Sequence, residues 1–471
     1  MKKNIVRRLF TAASMMLMTV TVSAQSASSA YFLEGFNQRY QLNPAFAPDR
    51  YVFAAIPGLS NIQVDFKSSV GLANFLYESK SKPGMLTTFM SPEIDSKTFL
   101  DGMPDKTRFN ANLNMDLLAL GIGGKRGFTT FNIKLKEQSQ ISIPKSMFGF
   151  MKAGMAQGNY LIEDLNVTSI TYLEASLTHS HKITDNLTIG LGLKFLDGAE
   201  YTDVNIDEID ARLSDESWKV KTNATINASI PAIQYTYKDD PDHAGRKTLE
   251  GTEEFEFSGE SIPRSYGFAV DLGAEYDFKG LVDGLKVSAS VTDLGFIKWD
   301  NLYTFRTDNK EYVEFNGFNN YKTGQDNDDA MDEISDDFKD MIKFYPETEG
   351  ASKQITLDAT FRVGAEYSLP MAKWISFGEL ITYKTGVWEY AESRTSICLS
   401  PCKWFDLTGN TTFSNMGSSM GLMVNLHPQG VNFFVAVDHL TADFNPQYVP
   451  LHEFGLDFSF GLNLAFGQKR N

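Results

Sequence analysis

The most informative stretch of the chain is residues 353–368. Ile355, Leu357, Ala359, Phe361, Val363, Ala365 and Tyr367 occupy one parity, while Gln354, Thr356, Asp358, Thr360, Arg362, Gly364, Glu366 and Ser368 occupy the other. A period of two held that long puts the two sets on opposite faces of a β-strand, and no helix satisfies it. The run also exceeds the five or six residues usual for strands of soluble proteins. The same pattern returns at 268–278, at 187–195 and at 454–466, where Phe454, Leu456, Phe458, Phe460, Leu462, Leu464 and Phe466 alternate with Gly455, Asp457, Ser459, Gly461, Asn463 and Ala465.

A soluble β-sandwich also alternates, but its exposed face is rich in Lys, Glu and Thr. Here the polar face carries Gly, Ser, Asn and Thr with scattered charges, as a water-facing lumen does, and the apolar face ends in aromatics, as a membrane-facing surface does. The expectation is an all-β fold: a transmembrane, antiparallel, up-and-down barrel of about 14 strands with long outer loops. The predicted strands are 51–66, 108–122, 127–143, 167–180, 186–202, 266–278, 285–299, 353–368, 374–384, 388–399, 403–414, 418–427, 431–440 and 454–466. Pro57-Gly58 interrupts the first, and Glu389, Glu392 and Arg394 blur the tenth. Tight turns at 123–126, 181–185, 279–284, 369–373, 400–402 and 428–430 then fall on one side of the barrel. The long connections 67–107, 144–166, 203–265, 300–352 and 441–453 fall on the other, the asymmetry expected of periplasmic turns and extracellular loops.

Residues 1–24 read as a secretory signal. Lys2, Lys3, Arg7 and Arg8 precede an uncharged stretch from Leu9 to Val22, and Val22-Ser23-Ala24 supplies small residues before a cleavage point at Gln25. A stretch of about 14 residues falls short of the roughly 20 needed to span a bilayer as a helix. The domain plan is therefore a signal peptide at 1–24, an N-terminal hatch or plug at 25–50, and an outer-membrane barrel at 51–467.

Composition agrees with a barrel and excludes other classes. The chain has 36 Phe, 36 Gly and 13% aromatic residues at only average hydrophobicity, because alternating strands never look greasy in a window average. A formal charge of −16 argues against nucleic acid, which needs a positive footprint.

Several motifs invite chemistry and resolve to plainer readings. Gly417-Ser418-Ser419-Met420-Gly421 matches a nucleophile elbow in spacing, but a strand follows it where the elbow needs a helix. Gly121, Gly123, Gly124 and Gly127 have no helix after them, so a phosphate loop is not expected. His179 and His181 share a strand face without a third ligand near in sequence. Asp326 to Asp340 is densely acidic but lacks the glycine of a calcium loop, and reads as a solvated helix. No metal, no cofactor and no catalytic set is therefore assigned. Cys398 and Cys402 flank Leu399-Ser400-Pro401, and a cross-turn disulfide is the preferred reading over free thiols.

Segment 25–50 carries Tyr31, Phe32, Phe36, Tyr40 and Phe46 beside Arg39, Arg50 and Glu34. Phe32, Phe36 and Tyr40 are the candidate ligand-binding residues. The plainer alternative is that these aromatics only pack against the inner wall.

Asn43-Pro44-Ala45 before fourteen strands resembles the FadL/PorV superfamily of outer-membrane barrels. The segments "VTDLGFIKW" at 291–299 and "HPQGVNFFVAVDHLTADFNPQYVPLHEFGLDFSFGLNLAFG" at 427–467 look like those of an uncharacterised Bacteroidota family of that type. Ser459 to Phe466 resembles the C-terminal signal read by the barrel-assembly machinery, although five residues follow Phe466. The resemblance implies an outer-membrane location, contact with outer-membrane lipids and a hatch built around Asn43, Pro44 and Ala45. It also implies one of two functions: passage or binding of small hydrophobic molecules, as in FadL, or an adaptor for secreted or surface partner proteins, as in PorV. A continuous apolar pocket beneath the hatch would favour the first, and a filled lumen under long ordered outer loops the second.

Overall fold

The structure is a computed structural model, and it describes residues 28–48, 50–154, 156–230, 233–241, 243–254, 265–308, 312–315, 342–386, 389–415, 417–441 and 454–469. Residues 1–24, expected to be a secretory signal, and the acidic stretch Asp326 to Asp340 lie outside the described residues. No described helix is long and apolar enough to cross a membrane.

The chain folds as a closed antiparallel barrel of 14 strands. Strand β1 is in two pieces, Arg50–Ala55 and Ile62–Ser68. β2 is Lys106–Gly123, β3 Gly127–Pro144, β4 Gly158–Lys182 and β5 Leu187–Leu213. β6 is again in two pieces, Trp218–Ser229 and Ser265–Asp277. β7 is Leu285–Thr307, and β8 combines Phe344–Thr356 with Thr360–Ser368. β9 is Ile375–Lys384, β10 Tyr390–Cys402, β11 Phe405–Ser414, β12 Gly417–Leu426, β13 Gly430–Thr441 and β14 Phe454–Lys469. Each strand pairs with its sequence neighbour, and both pieces of β1 bridge β2 and β14, which closes the ring. Closure leaves no free edge along the spanning strands.

Side-chain parity follows the sequence pattern. Ile189, Leu191, Leu193 and Phe195 are 43–53% exposed on the outer surface of β5, while Gly190, Gly192 and Lys194 point inward. Leu272, Val363, Ile381, Ile397 and Leu422 continue the outer apolar belt, with Tyr266, Tyr367, Trp374, Tyr383 and Trp404 also exposed on that surface. Such a surface suits hydrocarbon rather than water.

The structure departs from the expected strand ends in instructive places. The break anticipated at Pro57-Gly58 is real. Residues 56–61 leave the ladder in a turn, with Gly58 at φ 71°, while Leu59 O still accepts from Leu462 N and Asn61 O from Asp116 N. The segment 203–265, expected to be a loop, is instead largely strand. β5 runs on to Leu213, and Trp218–Ser229 descends beside it, from Leu213↔Trp218 to Tyr201↔Ser229. The chain then leaves the wall, makes a hairpin of Ile233–Asp239 with Lys247–Glu254, and re-enters at Ser265, opposite Gly198. The upper piece of β6 also pairs with β7, Thr304↔Asn227 and Arg306↔Thr225. The wall from β3 to β8 therefore rises well beyond the apolar belt. Both faces meet water there, so charges such as Asp203, Glu208, Asp210 and Lys221 blur the period-two signal that identifies a strand inside a bilayer.

Two short helices, α1 (Ser96–Asp101) and α2 (Lys145–Ala153), sit on the same outer side. Asp95 caps α1, its side chain accepting from Thr98 N at 2.8 Å. They enclose an apolar cluster of Val70, Ile94, Phe99, Met103 and Phe148.

Candidate functional site

The interior is organised at two levels, and the lower, near the termini, is filled by the chain's own N-terminal segment. All of residues 28–48 are buried or half-buried except Glu34, whose carboxylate pairs with Lys286 at the end of β7. Short turns let the segment cross the bore, including 3-10 turns at Ser28–Ala30 and Arg39–Gln41.

Its seat is made of glycine. A Cβ at Gly190 of β5 would collide with the Pro44 carbonyl, and one at Gly273 of β6 with the Asn43 side chain. Gly364 of β8 and Gly378 of β9 make the same room for Tyr31 and Phe32. The turn locks itself: Asn43 Oδ1 accepts from Ala45 N at 2.9 Å, the Asx geometry that favours Asn at such a corner. Asn43 Nδ2 then donates to the carbonyls of Ala274 and Ala289, both at 3.3 Å. Asn43, Pro44 and Ala45 thus meet the wall through backbone and one amide.

The aromatics face a different arc. Phe36 meets Phe434 of β13 edge-on with ring centroids 4.7 Å apart, and Tyr31 packs edge-on against Phe32 and Phe46, each at 5.1 Å. Arg39 lies 4.0 Å over the Phe46 ring and donates from Nε to Tyr31 O at 3.0 Å. Leu380, Cys398, Met423, Phe434 and Ala436 of the wall complete this apolar cluster. Tyr40 stands apart, against Phe53 at 6.2 Å, with its hydroxyl accepting from Asn132 Nδ2 at 3.1 Å. So Phe32 and Phe36 share one cluster and Tyr40 does not join them. All three are packed into the wall and almost fully buried. Burying a large apolar side chain is worth roughly 1.5–3 kcal/mol, so the aromatic content holds the segment inside.

Polar contacts carry the segment round the remaining wall. Gln38 donates to Ser60 O, Ser60 Oγ and Asn463 Oδ1 at 2.9–3.1 Å. Gln41 donates to Asp116 at 3.0 Å, and Ser290 of β7 donates to Leu42 O at 2.9 Å. Ser29 reaches furthest, its backbone N donating to Asp438 Oδ2 at 3.2 Å.

The second level is ionic and keeps to two arcs. On β3 to β7, Lys136 lies 2.8 Å from Glu174 and 3.0 Å from Asp293, while Lys194 lies 2.7 Å from both Asp271 and Asp293. On β10 to β1, Arg394 lies 2.5 Å from Asp438 and 3.3 Å from Glu392. Lys67 sits 3.8 Å over the Tyr390 ring. Bulges aim these groups. Asp293 at φ 63° and His439 at φ 57° are non-glycine residues in the left-handed region, beside register shifts opposite Val270/Leu272 and Met420/Leu422. A bulge turns an extra side chain inward at the expense of local strain.

None of these charged residues was singled out as a site from sequence. The signal that marks them is a full charge on the inward parity of a mid-barrel strand, as with Lys194 and Asp271.

The cysteines correct the sequence reading. Both are free, Cys398 buried and Cys402 exposed. They lie on one strand, and four extended residues span roughly 13 Å, beyond the ~7 Å Cα limit for a bridge. Cys398 packs in the plug cluster and accepts from Thr408 Oγ1 at 3.5 Å. His179 and His181 stack at 5.8 Å, and His179 Nδ1 shares a 2.8 Å hydrogen bond with Thr129. No group of three or more metal-ligating side chains occurs among the described residues. The 417–421 motif is the start of β12.

Among solved structures, the toluene transporter TbuX of Ralstonia pickettii is similar over 95% of this chain and 100% of its own, at 9% identity and a TM-score of 0.43. The toluene transporter TodX of P. putida is similar over 93% of this chain and 95% of its own, at 7% identity and a TM-score of 0.41. The translocator domain of the autotransporter NalP from Neisseria meningitidis covers 95% of this chain and 100% of its own, at 6% identity and a TM-score of 0.33. No curated protein matches the chain. A family model described as "Family of unknown function (DUF5723)" matches residues 44–438, and the chain belongs to that family.

Proposed function

We propose that this chain is an outer-membrane barrel kept shut by its internal N-terminal plug, and that it binds or passes small hydrophobic molecules where the plug meets the wall. The observation that carries the reading is the apolar cluster joining Phe32 and Phe36 to Leu380, Met423 and Phe434. It is an apolar contact between plug and wall, buried below two arcs of ion pairs. Exchange of plug side chains for an apolar molecule there conserves buried apolar area, so it costs little and is reversible. The exposed apolar belt supports the membrane location.

The experiment is uptake of labelled alkyl chains by liposomes holding the purified full chain. Uptake above that of protein-free liposomes is the expected result, and no difference overturns passage.

Two observations favour the second reading, an adaptor for partner proteins: the lower lumen is filled by closely packed plug side chains, and the outer wall is tall. The wall from β3 to β8 rises beyond the belt and carries a further hairpin at 233–254, which gives an ordered outer platform. A barrel that takes up no alkyl chain yet retains a secreted protein on that platform would be read this way.

A further inference from the structure

The termini-side rim is uneven. Three consecutive turns each carry a lysine beside a large apolar side chain in water. Lys279 stands with Leu281 (77% exposed) between β6 and β7, Lys373 with Met371 (93%) between β8 and β9, and Lys403 with Trp404 (52%) between β10 and β11. The turn between β12 and β13 carries His427, Pro428 and Gln429 with no lysine, that between β2 and β3 carries Lys125 and Arg126 with no large apolar tip, and that between β4 and β5 has Ile183 (47% exposed) after Lys182 but sets Asp185 beside them. Asp283 is the one carboxylate inside the three turns, accepting from Gly280 N at 3.2 Å, and Asp277 at the end of β6 accepts from Lys279 N at 3.0 Å.

We infer that this arc is a binding surface for the headgroups of anionic phospholipids in the inner leaflet; the inference rests on the outer-membrane reading. Continuity with the outer belt selects lipid as the occupant. Trp374, 48% exposed, joins the Met371 turn to Phe377 and Ile381 on the lipid side of β9. Each turn repeats one chemistry: an apolar tip that enters the acyl boundary and an ammonium that stays at phosphate height, the division of labour of a snorkelling lysine. The arc is basic although the chain as a whole carries −16, so the rim opposes the net field of the molecule. A lysine near an anionic lipid surface favours that lipid by about five-fold.

The test uses the full chain in phosphatidylcholine vesicles containing a minor fraction of phosphatidylglycerol, with either lipid brominated, and reads quenching of tryptophan fluorescence. Trp374 and Trp404 report the arc. The expected result is quenching by brominated phosphatidylglycerol beyond its bulk share, equivalent to roughly a five-fold local excess. The excess should vanish in K279Q/K373Q/K403Q and persist in K125Q/R126Q. Heat-modifiability on gels verifies insertion of each variant. An inserted wild type without the excess, or an excess that survives the triple substitution, overturns the inference and leaves the membrane reading standing. Failure of the wild type to insert overturns both. Loss of the excess on adding an acidic soluble protein that binds only the wild-type rim would reassign the arc to a protein partner.

Discussion

The two levels of the lumen are built by opposite means. The lower one is a separate piece of chain, seated on glycines and held by aromatics and amides, and it touches the wall from β1 round to β14. The upper one belongs to the wall itself and consists of charges on two arcs, β3 to β7 and β10 to β1. The difference lies in what each can lose. The plug can leave as a unit and strand few charges: its ion pair to the wall, Glu34 with Lys286, lies at the exposed end of β7, and Ser29 on Asp438 is its link to the ionic level. The ionic arcs cannot lose a member without leaving a partner buried and uncompensated, which is strongly destabilising even where the intact pair adds little. The lower level is therefore the part able to move, and the upper level the frame that keeps its shape.

The largest effect on stability is expected from Arg394→Met. It leaves Asp438 and Glu392 facing each other without their cation, at a cost of about 3–5 kcal/mol. Urea or thermal unfolding of the folded barrel in detergent measures it. Conductance in planar bilayers should stay low, because the plug is intact. A fully stable variant would show that the arc is not structural.

Gly190→Val should do the reverse. The added side chain collides with Pro44 at the plug seat, and overpacking costs about 1–3 kcal/mol. The seal should loosen, so conductance should exceed that of Arg394→Met although stability falls less. If the two variants rank the same way in both measurements, the division between mobile plug and fixed frame is wrong.

A smaller effect separates the cysteines. A maleimide should label Cys402 at once and Cys398 slowly in the folded barrel, and Cys398 should become reactive when the plug is loosened by Gly190→Val. Equal labelling of both thiols in the parent would contradict the packing of Cys398 beneath Phe32 and Phe36.

Much of this architecture was legible in the sequence because a bilayer enforces it. Where one face meets hydrocarbon, parity is strict, and Ile189, Leu191 and Leu193 declare their side at once. The legibility ends where the bilayer ends: from Asp203 to Ser229 both faces meet water, and a strand reads as a loop. Within the lumen, glycines on the inward parity were visible, but not that Gly190 and Gly273 are the seat of Asn43 and Pro44. That match joins residues some 150 and 230 positions apart, which local periodicity does not encode. The disulfide reading failed for a related reason. Pro401 suggested a turn, while the ladder holds the chain extended through Cys402.

The central claim is that residues 28–48, and not the charged arcs, close the bore. Deleting residues 26–48 while keeping residues 1–25 tests it most directly, with single-channel conductance in planar bilayers as the readout and heat-modifiability as the check on folding. A folded barrel with clearly higher conductance than the parent is expected. A folded truncation that conducts no better than the full chain would show that the ionic arcs or outer segments close the bore, and would contradict the claim.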